Sequence, residues 1–290
     1  MAAPETPVIE VARHAGVCYG VERALRLACE AAADAEGPVH TLGALIHNPL
    51  VVAELAQKGV AAVENPAEAG EGALVLRAHG VAPAVEEEAR ALGLSVVDAT
   101  CPFVKKVHHA AERFARAGLQ VVVVGEKGHP EVEGILGHAG PDALVAATAA
   151  DLEGAALRPR VGVVVQTTQT ERALQDVVET LRPRVEELQV ADTICSATQE
   201  RQDAACELAA RADVMVVVGG RNSGNTRRLA QICTLACPCT HHIEDAAELR
   251  ADWFEGTGLI GVTAGASTPA SHIERAVDGV RRLTTAAPEA

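Results

Sequence analysis

Short apolar runs recur along the chain, each closed by a glycine or a polar residue and followed by a stretch of helical periodicity. Val121-Val122-Val123-Val124 runs into Gly125, and Val214-Met215-Val216-Val217-Val218 into Gly219. Leu74-Val75-Leu76 ends in Arg77-Ala78-His79, Val161 to Val165 in Gln166-Thr167, and Leu259 to Val262 in Thr263-Ala264-Gly265-Ala266-Ser267. Unbroken apolar runs, rather than alternation, predict strands buried on both faces. Spacing at i, i+3, i+4 and i+7 predicts helices through Val21, Ala24, Leu25 and Ala28, through Val104, Val107, Ala111 and Phe114, and through Ala204, Ala205, Leu208 and Ala209. Alternating strands and helices predict an α/β fold of parallel sheets with helices on both faces.

The order of parts repeats three times. Val8 to Val11 leads to Cys18, Leu94 to Val97 leads through Asp98-Ala99-Thr100 to Cys101, and Leu188 to Val190 leads through Asp192-Thr193-Ile194 to Cys195. A helix follows each cysteine. At nearly constant distance comes a polar loop, carrying His47, then His129, then Ser223 and Asn225. Another strand then ends in a polar residue: His79, Thr167 or Ser267. Ligands in parallel sheets sit at the carboxyl ends of the strands. Three such units with that end turned inward would put three cysteines around one centre, ringed by polar groups.

Length and charge narrow the possibilities. With 290 residues, the chain is long enough for more than one domain with a real core. No apolar run approaches the roughly 20 residues of a membrane helix. The first five residues lack the basic and apolar regions of a signal peptide, so a cytoplasmic protein with no membrane partner is expected. The net charge of −14 argues against nucleic acid as a partner.

Eight cysteines in a reducing compartment are expected to be thiols, ligands or catalysts. Cys29 and Cys206 lie in amphipathic helical stretches and read as small core residues. Cys237-Pro238-Cys239-Thr240-His241-His242 is a compact patch of possible zinc ligands. Three convergent thiolates without a fourth suit an iron–sulfur cluster with one open iron. A zinc ion with an open position suits them equally. His47, His79, His129, Thr167, Ser223, Asn225 and Ser267 are neutral or cationic donors. Several precede helices, whose N-termini favour anions such as a diphosphate. Glu131 is the one carboxylate of this ring and a candidate proton donor. The glycine-bearing loops at Gly125 and Gly219 also leave open a nucleotide-binding α/β protein without redox chemistry, although neither matches a known fingerprint.

Seven motifs complete the picture: Gly16-Val17-Cys18-Tyr19-Gly20-Val21, Ala78-His79-Gly80-Val81, Asp98-Ala99-Thr100-Cys101-Pro102, Gly128-His129-Pro130-Glu131-Val132-Glu133-Gly134, Gln166-Thr167-Thr168, Asn222-Ser223-Gly224-Asn225 and Thr263-Ala264-Gly265-Ala266-Ser267. In this order, from about Ile9 to Leu283, the chain resembles the 4-hydroxy-3-methylbut-2-enyl diphosphate reductase family of the methylerythritol phosphate route to isoprenoids. The resemblance implies three similar small α/β domains in pseudo-threefold arrangement around a central 4Fe-4S cluster, spanning residues 19–101, 102–192 and 193–290 with 1–18. It implies Cys18, Cys101 and Cys195 as cluster ligands, with the substrate hydroxyl at the open iron. The diphosphate would be held by His47, His79, His129, Ser223, Asn225 and Ser267, in a pocket that includes Gly224. Glu131 would deliver protons, helped by Thr167 and His129. Two electrons and two protons would remove the hydroxyl as water and give isopentenyl or dimethylallyl diphosphate. A ferredoxin or flavodoxin would supply the electrons.

The chain departs from the family pattern at several points. Gly224 stands where a second serine is usual, Val17-Cys18-Tyr19 replaces Phe-Cys-Ala, and Gln169 occupies a usually apolar position. The tail after the last helix is short. These changes leave room for a divergent copy acting on a related diphosphate.

Overall fold

The computed structural model describes residues 6–285. Residues 1–5 and 286–290, which bear on the signal-peptide and short-tail readings, lie outside the described residues.

The chain begins with β1 (Val8–Val11), α1 (Tyr19–Asp34), β2 (Val39–Leu42), α2 (Pro49–Gln57), β3 (Val60–Val63), β4 (Ala73–Leu76), α3 (Pro83–Ala91) and β5 (Ser95–Asp98). Next come α4 (Pro102–Arg116), β6 (Gln120–Val124), α5 (Pro130–Ala139), β7 (Leu144–Ala146), β8 (Arg160–Val165), α6 (Glu171–Leu181) and β9 (Glu187–Ala191). The last part is α7 (Ser196–Ala209), β10 (Val214–Val218), α8 (Gly224–Ala236), β11 (Thr240–Ile243), β12 (Leu259–Ala264) and α9 (Ala270–Thr285).

The strands form three four-stranded sheets, ordered β3-β2-β4-β5, β7-β6-β8-β9 and β11-β10-β12-β1. Every recorded pairing is parallel. The orders are the same: a first strand, the second on one side of it, the third on the other, and a fourth beyond the third. In the last sheet the fourth strand comes from the start of the chain, where Val8 pairs with Leu259 and Val11 with Val262. The third repeat is thus closed by the N-terminal strand.

The unbroken apolar runs have a direct cause. Side chains alternate across a strand, so Val121 and Val123 enter one apolar cluster while Val122 and Val124 enter another. Likewise Val214, Val216 and Val218 lie on one face of their sheet, and Met215 and Val217 on the other. A sheet covered on both faces needs an apolar residue at every position. Each such side chain contributes roughly 1.5–3 kcal/mol by leaving water. The expected parallel α/β class is therefore found.

Two compact units result. One comprises the chain up to Cys18, His47–Pro49, and everything from Ser196 onward; the other comprises Tyr19–Ile46 and Leu50–Cys195. The second unit contains two of the sheets. One expectation fails. Cys206 is exposed rather than a core residue, because α7 turns that position to solvent, while Cys29, on α1, is half-buried against the core.

Candidate active site

Each of the three cysteines occupies the same place in its sheet, between the edge strand and the following helix. β1 leads to Cys18 ahead of α1, β5 to Cys101 ahead of α4, and β9 to Cys195 ahead of α7. Each cysteine is held by the same backbone bond. The amide of Cys18 donates to Ala266 O at 3.2 Å, that of Cys101 to Ala78 O at 3.0 Å, and that of Cys195 to Thr167 O at 3.1 Å. These acceptors lie just past the third strand of each sheet. Two of them immediately precede Ser267 and His79, and the third is Thr167 itself. The bond therefore ties each thiol-bearing residue to the polar strand end of its own sheet.

The approach loops differ. Asp98 Oδ1 accepts from the Thr100 amide at 2.9 Å, and Asp192 Oδ1 from the Ile194 amide at 3.1 Å, so both short loops are Asx turns. The loop before Cys18 is longer. Its Gly16 carbonyl accepts from buried Arg201 at 2.7 Å.

All three cysteines are half-buried thiols, and none of the eight is in a disulfide. The thiolate is the form of cysteine that binds metal. In the first turn of α1, Gly20 crowds Cys101: a Cβ there would lie 2.4 Å from the Cys101 Sγ. Among the described residues no three Cys, His, Asp or Glu side chains gather closely enough to hold one metal ion. In a 4Fe-4S cluster each thiolate holds its own iron, so the ligands need not meet at a single ion. A half-buried thiol at each of three equivalent positions, with no fourth repeat, is the donor set such a cluster takes.

In the larger unit, the ends of β4, β6 and β8 bring four polar residues together. His129 caps α5, and its Nδ1 accepts from the Glu131 amide at 3.1 Å. In the neutral ring this puts the proton on Nε2. Glu131 is 2% exposed. Its carboxylate accepts from the Thr167 amide at 2.7 Å and from Thr167 Oγ1 at 3.0 Å. Both bonds favour the charged form, yet burial outweighs them and pushes the carboxyl up to about 7. Glu131 is thus a buried carboxyl and not a solvated loop charge. The His79 ring lies edge-on to that of His129, centroids 5.6 Å apart.

In the smaller unit, Ser267 Oγ donates to His47 O at 3.1 Å, and Asn48 Nδ2 donates to Ser267 O at 2.8 Å. Ser223 caps α8, its Oγ accepting from the Thr226 amide at 3.3 Å, which leaves its own hydrogen to donate. Asn225, in the first turn of the same helix, is 4% exposed, and neither Oδ1 nor Nδ2 has a hydrogen-bond partner among the described residues. Burying both ends of an amide unpaired costs a few kcal/mol, so the site fits a polar ligand. Gly224 opens α8 between these two residues.

Sequence reasoning missed Asn48, Gln166 and His108. Gln166 Oε1 accepts from the Glu126 amide at 2.9 Å and shapes the loop before His129. The departures at Tyr19 and Gln169 have different settings: Tyr19 is 63% exposed, whereas Gln169 is buried. The patch after Cys237 is not assembled as a zinc site. The Cys237 thiol faces the carbonyls of Asp213 and Cys239, Cys239 is exposed, His241 stacks on Trp253 at 3.8 Å, and His242 Nε2 lies 2.8 Å from Gly219 O.

Comparison with known proteins settles the family. The sequence model described as LytB protein matches residues 9–281. This chain is a LytB protein. Its relatives in the LytB family include a protein of Geotalea uraniireducens, 44% identical over 94% of this chain and 96% of its own length, and one of Aquifex aeolicus, 44% identical over 95% and 96%. Both are named 4-hydroxy-3-methylbut-2-enyl diphosphate reductase. A solved structure of (E)-4-hydroxy-3-methyl-but-2-enyl diphosphate reductase, described as the terminal enzyme of the non-mevalonate pathway, superposes with a TM-score of 0.71 at 44% identity, covering 95% of this chain and 99% of that one. The E-1-hydroxy-2-methyl-but-2-enyl-4-diphosphate reductase of Plasmodium falciparum superposes with a TM-score of 0.89 at 25% identity, covering 94% and 87%. Membership of this family replaces the nucleotide-binding reading. No described helix is long and apolar enough to cross a membrane.

Proposed function

We infer that this chain reduces 4-hydroxy-3-methylbut-2-enyl diphosphate to isopentenyl and dimethylallyl diphosphate, the closing step of the non-mevalonate route. In balance, the hydroxylated substrate takes up two electrons and two protons and releases water. The observation that carries the reading is the amide bond repeated at Cys18, Cys101 and Cys195, which places a thiol at the same strand end of three sheets.

Those three cysteines would hold a 4Fe-4S cluster. When bound, such a cluster supplies electrons and a Lewis-acid iron at its unligated corner. The rest falls to the chain's own side chains. His79 and His129 donate from neighbouring rings to phosphate oxygens. Ser223 and Asn225 add neutral donors at the N-terminus of α8, where the helix dipole favours an anion. His47 and Ser267 complete the set. Glu131, poised near neutrality, holds the proton that the departing hydroxyl or the product carbon needs. Thr167 orients its two oxygens from both backbone and side chain. Gly224 adds no side-chain donor to the phosphate loop. The chain would divide into three domains, 19–101, 102–192 and 193–290 with 1–18, with Cys18, Cys101 and Cys195 at or close to the boundaries between them. The protein would work in the cytoplasm with a ferredoxin or flavodoxin as electron donor.

The test is iron and acid-labile sulfide per chain in protein purified without oxygen, followed by turnover of the hydroxylated diphosphate with a one-electron reductant. About four of each per chain, with turnover, is expected. Values near zero after anaerobic reconstitution would overturn the assignment.

A further inference from the structure

His108 takes no part in the chemistry described so far, yet it touches two of the elements that carry it. It lies on α4, two turns beyond Cys101, and is 6% exposed. One edge of its ring faces Gly80, the residue after His79: a Cβ on Gly80 would lie 2.5 Å from the His108 Cε1 and 3.1 Å from Nε2. Nε2 also faces Gly134, one turn beyond Glu131 on α5, where an added Cβ would lie 3.3 Å away. The ring stacks on His138 of the same helix, centroids 4.3 Å apart and 23° from coplanar. The Gly80 backbone also packs directly on Gly134, whose added Cβ would lie 3.4 Å from Gly80 C and 3.5 Å from Gly80 O, so the imidazole props this contact between the His79 turn and the helix that follows His129.

The contacts are too close for chance packing. Gly80 has φ +72°, a left-handed conformation, and its amide closes the turn onto Arg77 O at 3.0 Å. Arg77 Nε donates back to Gly80 O at 3.4 Å. No side chain at position 80 would leave His108 in place. His108 Nε2 is buried without a hydrogen-bond partner among the described residues. A buried unpaired nitrogen is disfavoured against a plain apolar residue. Burial and the neighbouring His138 push this imidazole down to about 3, so it remains neutral and acts by shape. On its other side a cavity of about 220 Å³, lined in part by Lys105, His109 and His138, gives the surroundings room to shift if the ring is removed.

We propose that His108 is a positioning residue that sets the separation of His79 and His129, so that the two rings donate together to one phosphate group. The proposal rests on the reading of those two histidines as diphosphate donors. Removing the ring loosens the packing that fixes how the His79 turn sits against α5 beside the Gly80–Gly134 contact. Misplacement by as little as 1 Å can cost about a hundredfold in rate or binding.

The experiment compares His108→Ala, His108→Phe and Gly134→Ala with the parent and with His79→Ala, all carrying the cluster. Readouts are iron per chain, melting temperature, KM and kcat, and calorimetric binding of inorganic diphosphate. His108→Ala should weaken diphosphate binding and raise KM at least about tenfold, with kcat within about twofold and iron unchanged. His108→Phe, which keeps a ring, should recover most of that loss. Gly134→Ala favours the helix, so it should melt no lower than the parent and still raise KM about threefold, because its methyl presses on Nε2 and on the Gly80 backbone. An unchanged KM in His108→Ala beside a raised one in His79→Ala would overturn the positioning role and leave the diphosphate reading standing. A fall in kcat with binding unchanged would also overturn it. Parent protein that ignores diphosphate, with His79→Ala no different, would sink the diphosphate reading and this proposal with it.

Discussion

The sheet that ends in Cys195 and the sheet that leads to Cys18 share one strand order and one amide bond to the cysteine, yet their loops carry opposite electrostatics. Beside β6 and β8, Glu131 is sealed from water and kept part-protonated by burial. Beside β10 and β12, Ser223, Asn225 and Ser267 offer hydroxyls and an amide with nothing to titrate. The scaffold repeats because a buried parallel sheet permits few ways to turn from strand to helix. In the proposed reaction one loop would handle a proton and the other would only bind, which accounts for their divergence. Common geometry presents the thiols, and local burial assigns the chemistry.

Removing the shared element should have the largest effect. Cys101→Ala or Cys195→Ala should lower iron in anaerobically purified protein from about four per chain to near zero and abolish turnover. Cys29→Ala and Cys206→Ala should leave iron unchanged. Equal losses in all four would mean that the repeat does not mark the ligands.

Removing the divergent proton should come next. Glu131→Gln should keep its iron and lose at least about a hundredfold in kcat. The parent rate should fall as pH rises through about 7, where Glu131 loses its proton; in the variant this limb should vanish.

The same carboxyl shapes stability. Its folded value lies above its ordinary one, so its contribution is full below about 4.5 and is lost as pH rises to about 7. Denaturant titration should find Glu131→Gln gaining on the parent by on the order of 3 kcal/mol between pH 4.5 and 8. A pH-independent difference would show that Glu131 ionises freely in the fold.

On the binding side, Asn225→Ala should raise KM about tenfold or more, the worth of a hydrogen bond to a charged group. Its melting temperature should not fall, since the amide has no partner to lose. The smallest effect is expected at Gly224→Ser, where one added hydroxyl should lower KM by a few-fold. An unchanged or higher KM would mean that position 224 does not face the phosphate.

Much of this was legible in the chain. The runs Val121 to Val124 and Val214 to Val218 announce two-sided burial through their lack of alternation, and the three cysteines follow from the repeat. The joining of β1 to β12 was expected only through the family resemblance, which groups residues 1–18 with 193–290; it carries no local signal, since pairing between distant segments leaves none in either. Cys206 was misread because α7, with Arg201 and Gln202 among its buried residues, lacks a clean apolar stripe to orient it. The burial of Glu131 was also hidden: its neighbours Pro130 and Glu133 suggest a wet loop, and only the packing of α5 and the Thr167 turn removes the water. His108 sits beside His109 in the sequence, and nothing local says which of the two faces inward.

Closing the third sheet with the first strand has a consequence for synthesis. Strands β2 to β9 leave the ribosome before β12 exists, so the backbone around Cys101 and Cys195 can be organised early. Cys18 is anchored through Ala266 O and must wait for nearly the whole chain. At about 5–20 residues per second that delay is on the order of tens of seconds. Throughout it, the Cys18 amide lacks its Ala266 acceptor, and assembly of a three-thiol centre would have to follow the synthesis of β12.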